Sequence, residues 1–280
     1  DENNYQLFSY ILATVDQVDF ETDRVGVKLN WESGNLDNIR NQAQQIFISA
    51  EDRERLLYYH DQITAIATAA PAGQARVGLN DFLVPLFDRA RERSGRGEDP
   101  VADNRALFIA MTTYLTELRL EHLLGDSASS LTYPRRLTVV IEGRSDLPQH
   151  IVGSAAIAAS AGGSVADILS VYKEVHDSRY TSGFSFSDLT ANQVGAELGM
   201  LATTSPELAR QLQILMSESL SETDYMPPVA RFDGITEEEF ISQYQDRNSA
   251  QYQQRLAAIA EEIADRPIFQ TLDSATGSSD

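Results

Sequence analysis

No cysteine occurs in the 280 residues. That excludes disulfides, thiolate metal sites, a cysteine nucleophile and a lipid-bearing cysteine in the chain as given. Basic residues are scarce: 22 Lys plus Arg stand against 42 Asp plus Glu, a formal charge of -20. A field of that sign repels phosphate backbones and anionic headgroups, which argues against nucleic acid or a membrane surface as partner. Long apolar runs are missing as well. The longest low-polarity stretch, Ile151 to Gly163, is shorter than the roughly 20 residues that span a bilayer, and Asp167 blocks its extension. No HExxH, GxSxG, phosphate-loop or dinucleotide fingerprint is present, and no internal repeat.

What is present has the composition of a folded protein. Hydrophobic residues make up 42%, and the acidic charge is spread along the chain instead of forming a tail, so the chain reads as globular. Its length suits one core or two closely packed lobes. The expectation is a single compact domain over 1–270, with lobes 1–130 and 131–270, and a polar, flexible tail over 271–280. The chain starts at Asp1 instead of Met, which a cleaved export signal would leave behind, although an arbitrary start would look the same. An exported, periplasmic protein is the expectation.

Apolar periodicity predicts a mainly α, compact multi-helix bundle-like fold with a minor two-stranded β element. Leu7, Phe8, Ile11, Leu12 and Val15 recur at helical spacing, and a further helix is expected from Leu36 to about Phe47. Ser49 opens a helix that Pro71 and Gly73 end. Asn80 reads as the cap of the next helix, and Asp99-Pro100 starts a long one reaching Leu124, with Gly125 as its terminator. Further helices are expected near 147–161, 165–177, 188–202, 206–219, 237–245 and 249–265, the fifth opened by a Thr236/Glu239 capping box. Strand alternation appears in Arg24 to Trp31 and in Leu137 to Glu142, and the two are expected to pair with each other.

Titratable groups among small residues concentrate in 142–199. Asp146 reads as the cap of the helix holding Pro148 and His150, which continues into an Ala-rich run that neighbours should cover on all sides. A histidine there is more commonly a satisfied core residue than a ligand or base. Glu174 and Asp177 share one helix face, opposite an apolar stripe that includes His176; a solvated face is the plain alternative to a polar cavity. Ser187 is a cap candidate for the helix on which Asp188, Asn192, Gly195 and Gly199 form one stripe. If the glycines pack on the Ala-rich helix, Asp188 and Asn192 come near His150. Such a set could bind a divalent metal ion, through His150, Glu174, Asp177 and Asp188, or hold a water for hydrolysis with His150 and Glu174 as catalytic groups.

Three elements, Asp146-Leu-Pro-Gln-His150, Lys173-Glu174-x-x-Asp177-Ser178 and Gly183-Phe184-Ser185-Phe186-Ser187-Asp188-Leu189, in this order, resemble a group of uncharacterised bacterial envelope proteins, distantly similar to the YfiM-like lipoproteins. The resemblance covers mainly 137–202. It implies a Gram-negative envelope setting and a helical fold, and marks Asp146, His150, Glu174, Asp177 and Asp188 as motif positions. It implies no established activity. This chain departs from the pattern in having no cysteine for a lipid anchor, and in carrying Asn192 where similar sequences favour Asp.

With no catalytic template present, the leading expectation is a non-catalytic structural or partner-binding envelope protein, its partner another envelope protein or a cell-wall component. The alternative is a metal-assisted hydrolase acting on an envelope polymer or lipid. A helix-lined pocket for a small molecule or peptide is a third class that leaves little trace in one sequence.

Overall fold

The computed structural model describes the backbone of 15–21 and 24–29, and then 49–116, 120, 124, 128, 131–160, 184–218, 220–230, 233–246 and 248–276. Among the described residues the fold is mainly helical: β1 (Val15–Glu21), β2 (Arg24–Leu29), α1 (Ala50–Ala69), β3 (Arg76–Gly78), α2 (Asn80–Gly95), α3 (Pro100–Leu115), β4 (Thr138–Val140), α4 (Leu147–Ala159), α5 (Phe186–Thr203), α6 (Pro206–Ser217), α7 (Glu237–Tyr244), α8 (Ala250–Ala264) and α9 (Pro267–Thr276).

Side-chain oxygens at the expected kinds of residue start these helices by accepting the N–H groups that a first turn leaves unbonded. Ser49 Oγ accepts from Asp52 N, Asp99 from Val101 N, Ser205 from Leu208 N and Ser249 from Tyr252 N. Thr236 and Glu239 form the reciprocal box that opens α7. Three starts differ from the sequence reading. Asn80 is the first residue of α2 instead of its cap, because its amide donates to Leu220 O at 2.8 Å and accepts from Tyr225 Oη. Ser185, not Ser187, caps α5, and the Asp146 carboxylate makes no cap bond. Both displaced groups are engaged in the polar junction described below.

α3 is the central helix. It is buried on almost every side, from Ala102 to Tyr114. It ends at Leu115 and does not continue to Leu124. The Thr112, Thr113 and Thr116 hydroxyls bond back to carbonyls of the preceding turn, and Arg136 Nη1 takes the carbonyls of Tyr114 and Thr116. The Thr116 and Arg136 bonds engage the carbonyls of Thr112, Tyr114 and Thr116 at the helix end, and the backbone at Thr116 turns extended.

The expected pairing between the two sequence-visible strands is replaced by two separate pairs. β2 pairs antiparallel with β1, Val18 opposite Val27, and β4 pairs in parallel with β3, Val77 opposite Val139. A hairpin with two intervening residues closes at far less entropic cost than a pairing across more than a hundred residues. β1 thus takes Val15, which helical spacing had grouped with Leu7 to Leu12; residues 1–14, like the helices expected near 36–47 and 165–177 and the terminator Gly125, lie outside the described residues. β3 is only three residues long, too short for alternation to show.

One apolar cluster joins Leu56, Phe82, Phe108, Ile151, Leu198, Leu212, Ile259 and Leu272. A smaller aromatic cluster of Phe240, Tyr244 and Tyr252, with Phe184 and Phe186 against it, ties α7 and α8 to the start of α5. α9 carries buried Ile268, Phe269 and Leu272 and runs to Thr276, so helix occupies 271–276, which composition had assigned to a flexible tail. No helix among the described residues is long and apolar enough to cross a membrane.

Candidate functional site: a polar junction of α4 and α5

The stripe of small residues on α5 meets the Ala-rich face of α4, as its spacing predicts. A Cβ built on Gly195 would lie 2.0 Å from Ile151 O, and one on Gly199 would lie 2.3 Å from Ala155 O. Backbone thus touches backbone, and only glycine permits that approach. One and two turns earlier on α5, Asn192 and Asp188 are brought beside α4. Asn192 Oδ1 accepts from Ser154 Oγ at 2.9 Å and lies 3.2 Å from His150 Nδ1; His150 Nε2 lies 3.6 Å from Asp188 Oδ2. Because an amide oxygen can only accept, Nδ1 donates to it, and Nε2 faces the Asp188 carboxylate. The His150 side chain is 22% exposed, nearer the surface than a core histidine.

The group that organises this junction is Arg144. Its Nε and Nη2 fork onto Asp146 at 3.1 and 2.5 Å, Nη2 also reaches Asp188 Oδ1 at 2.6 Å, and Nη1 reaches Asp233 Oδ1 at 3.0 Å. All three guanidinium nitrogens are therefore bound to carboxylate. A tight turn aims the side chain: Glu142 and Gly143 both have positive φ, and Ile141 and Arg144 exchange two backbone hydrogen bonds across them. Asp233 is fixed in turn by Ser185 Oγ at 2.8 Å and Ser187 N at 2.6 Å. Ser187 thus sits in the first turn of α5 with its N–H on Asp233 and its hydroxyl toward Ala230 O, and Asp146 turns to Arg144 instead of capping α4.

The electrostatics follow from these contacts. Burial pushes the Asp233 carboxyl upward, but the Ser187 N–H, the Ser185 and Ser187 hydroxyls and Arg144 outweigh it and hold it below the usual carboxylate range. Burial likewise opposes ionisation of Asp146, and the Arg144 fork more than compensates, so that carboxyl is also lowered. Arg144 is held still further above its ordinary range, chiefly by the Asp146 hydrogen bond.

Four of the positions singled out in the sequence, Asp146, His150, Asp188 and Asn192, do meet. Glu174, Asp177, Ser178 and His176 lie outside the described residues. Among the described residues no group of three or more His, Asp or Glu could hold a metal ion. Asp146 and Asp188 turn their oxygens toward Arg144, an arrangement that suits an ion network better than a cation cage. Arg144 and Asp233 were missed by the sequence reading. Their signals were turns: the Glu142-Gly143 pair ahead of Arg144, and Asp233-Gly234.

Comparison with protein-family models, curated proteins and solved structures finds no match.

A second ion network lies away from this junction. Asp103 on α3 is fully buried, and both its oxygens accept from Arg93 Nε, at 2.9 and 3.2 Å. Arg55 Nε lies 3.6 Å from the same carboxylate, and Glu98 faces both arginines. Desolvation raises the Asp103 carboxyl above its ordinary value, and the Arg93 hydrogen bonds and charge only partly offset this.

Proposed function

We propose that the chain is a non-catalytic helical protein of the bacterial envelope, acting as a structural element or by binding a partner, either another envelope protein or a cell-wall component. The observation that carries the reading is the saturation of Arg144 by Asp146, Asp188 and Asp233. Asp146 gives both oxygens to Arg144, and Asp233 divides its oxygens among Arg144, Ser185 and Ser187, so these carboxylates have few lone pairs left for a metal, a water or a substrate. The backbone contact at Gly195 leaves no cavity between α4 and α5 at that point. The envelope setting rests on the resemblance of the three sequence elements, and the acidic charge is compatible with an extracytoplasmic solvent-facing protein.

The competing reading, metal-assisted hydrolysis, draws on one feature: His150 Nε2 makes no hydrogen bond among the described residues and sits at the partly exposed rim, where it could act as a base. The test is elemental analysis of the purified chain together with turnover assays on cell-wall polymer and lipid esters. No bound metal and no turnover are expected. Stoichiometric metal, or turnover that disappears in His150→Ala, overturns the proposal in favour of the hydrolase.

A further inference from the structure

A shallow groove, wide open to solvent and of about 660 Å3, lies where the first turns of α2 meet the end of α6, lined by Asn80, Asp81, Val84, Pro85, Ser217, Glu218 and Leu220. Its apolar part is Val84, Pro85 and Leu220, each half-buried. Ile214, 43% exposed, stands one turn before the lining residue Ser217 on the same face of α6. The walls are held by hydrogen bonds: Asn80 donates to Leu220 O and accepts from Tyr225 Oη, each at 2.8 Å, which ties the start of α2 to the segment after α6. A groove fixed in this way is ordered before anything binds.

The charge of the groove is of one sign. Asp81 and Glu218 are exposed on it, and Glu222 lies close by, since a Cβ on Gly78 would meet Asp81 Oδ2 and Glu222 Oε1 at the same 3.6 Å. One oxygen of Asp81 accepts from Gly78 N, and one of Glu222 from Glu142 N. No Lys or Arg among the described residues forms an ion pair with Asp81, Glu218 or Glu222, although Arg55, Arg89, Arg91, Arg93, Arg144 and Arg255 all have carboxylate partners. The net charge of -20 adds long-range attraction for a cationic partner.

We propose that this groove docks a basic segment of a partner protein, with a Lys or Arg side chain between Asp81 and Glu218 and an adjacent apolar side chain on Val84, Pro85 and Leu220. The inference rests on the partner-binding form of the function proposed above and names the chemistry of the partner. Charge complementarity selects the cation, and the half-buried apolar strip selects a peptide over a free amine or a metal ion, neither of which would cover it.

The experiment titrates the full chain with a labelled peptide of alternating lysine and leucine, at fixed salt. Three proteins are compared: wild type, Asp81→Asn/Glu218→Gln, and Glu238→Gln/Glu261→Gln, which removes the same charge at exposed positions outside the groove. Asn at 81 keeps an oxygen for Gly78 N, so the fold is preserved, and thermal melts verify this. The groove variant is expected to bind about tenfold more weakly, and the remote variant within about twofold of wild type, as short-range pairs outweigh diffuse charge. Equal losses in both double variants, or no binding by wild type, overturn the groove. Equal losses leave the partner-binding reading standing, whereas turnover or bound metal removes that reading whatever the titration shows.

Discussion

Gly195 on α5 lies directly against the carbonyl of Ile151 on α4, so close that a β-carbon would sit 2.0 Å from Ile151 O. The obstruction is backbone, which cannot rotate away as a side chain can. Gly195→Ala should therefore push the helices apart and cost about 3 kcal/mol or more, the upper range of overpacking. Gly199→Ala, at 2.3 Å from Ala155 O, should behave similarly. Urea denaturation gives the measurement; a loss below about 1 kcal/mol for Gly195→Ala would show that the helices do not pack at this distance.

The same helix pair contains its own control. Gly153 on α4 has nothing within 4 Å of where a Cβ would stand, and it sits in helix with no positive φ. Gly153→Ala should stabilise by about 0.5–1 kcal/mol, through helix propensity and a less flexible unfolded chain. A pair of Gly→Ala changes of opposite sign would place the close contact at the α5 glycines, against Ile151 and Ala155, and not at Gly153.

How much of this was legible in the sequence depends on the range of the cause. Helix starts at Ser49, Asp99 and Thr236 are local chemistry and could be read directly. The α4–α5 packing was legible because spacing alone puts Gly195 and Gly199 on the stripe of Asp188 and Asn192, opposite an Ala-rich helix. Arg144 and Asp233 were hidden because nothing in their neighbourhoods says that residues 89 positions apart will meet at 3.0 Å. The partnership of β3 with β4 was hidden for the same reason, whereas β1 pairs with its sequence neighbour β2 and was missed locally. Val77 and Val139 pair because tertiary packing puts them side by side, and three residues carry no periodicity.

Arg144 neutralises three carboxylates, two of which, Asp188 and Asp233, are less than one-fifth exposed. Arg144→Met removes the cation but keeps most of the volume, leaving those carboxylates facing one another. The expected loss is about 3 kcal/mol, as for breaking a largely buried pair from one side. Arg144→Lys should recover only part of it, because an ammonium cannot fork onto Asp146 while also reaching Asp188 and Asp233. Thermal melts of the two variants decide this. Equal stability of Arg144→Met and wild type would mean that the junction is a solvated surface cluster.

Acid should act on the two ion networks with opposite signs. Asp146 and Asp233 are held below the ordinary carboxylate value, so the unfolded chain binds more protons in that window. Their stabilisation is present above pH about 4 and is lost as pH falls through the lowered values. Asp103 is raised, so its contribution is fully present below about 4 and fades as pH rises through its folded value. Asp233→Asn should therefore flatten the loss of melting temperature on acidification from about pH 5 to 3. An unchanged slope in that variant would remove Asp233 from the account.

The α1–α3 network permits a sharper contrast between two buried polar groups. Asp103 is fully buried with two arginines on it, and Asp103→Ala leaves Arg93 and Arg55 without their buried carboxylate, with only the partly exposed Glu98 still shared between them. That should cost about 3–5 kcal/mol. Tyr59, on the α1 face toward the core, is also fully buried, but its hydroxyl has no hydrogen-bond partner among the described residues. The ring contributes the packing, including an edge contact with Tyr58, and the hydroxyl contributes only a desolvated dipole. Tyr59→Phe keeps the ring and removes that dipole, so stability should stay level or rise by up to about 1 kcal/mol. Chemical denaturation of the two variants side by side reads the contrast. A Tyr59→Phe loss comparable with that of Asp103→Ala would mean that the hydroxyl is bonded within the network and that Asp103 shares its charge with three groups instead of two.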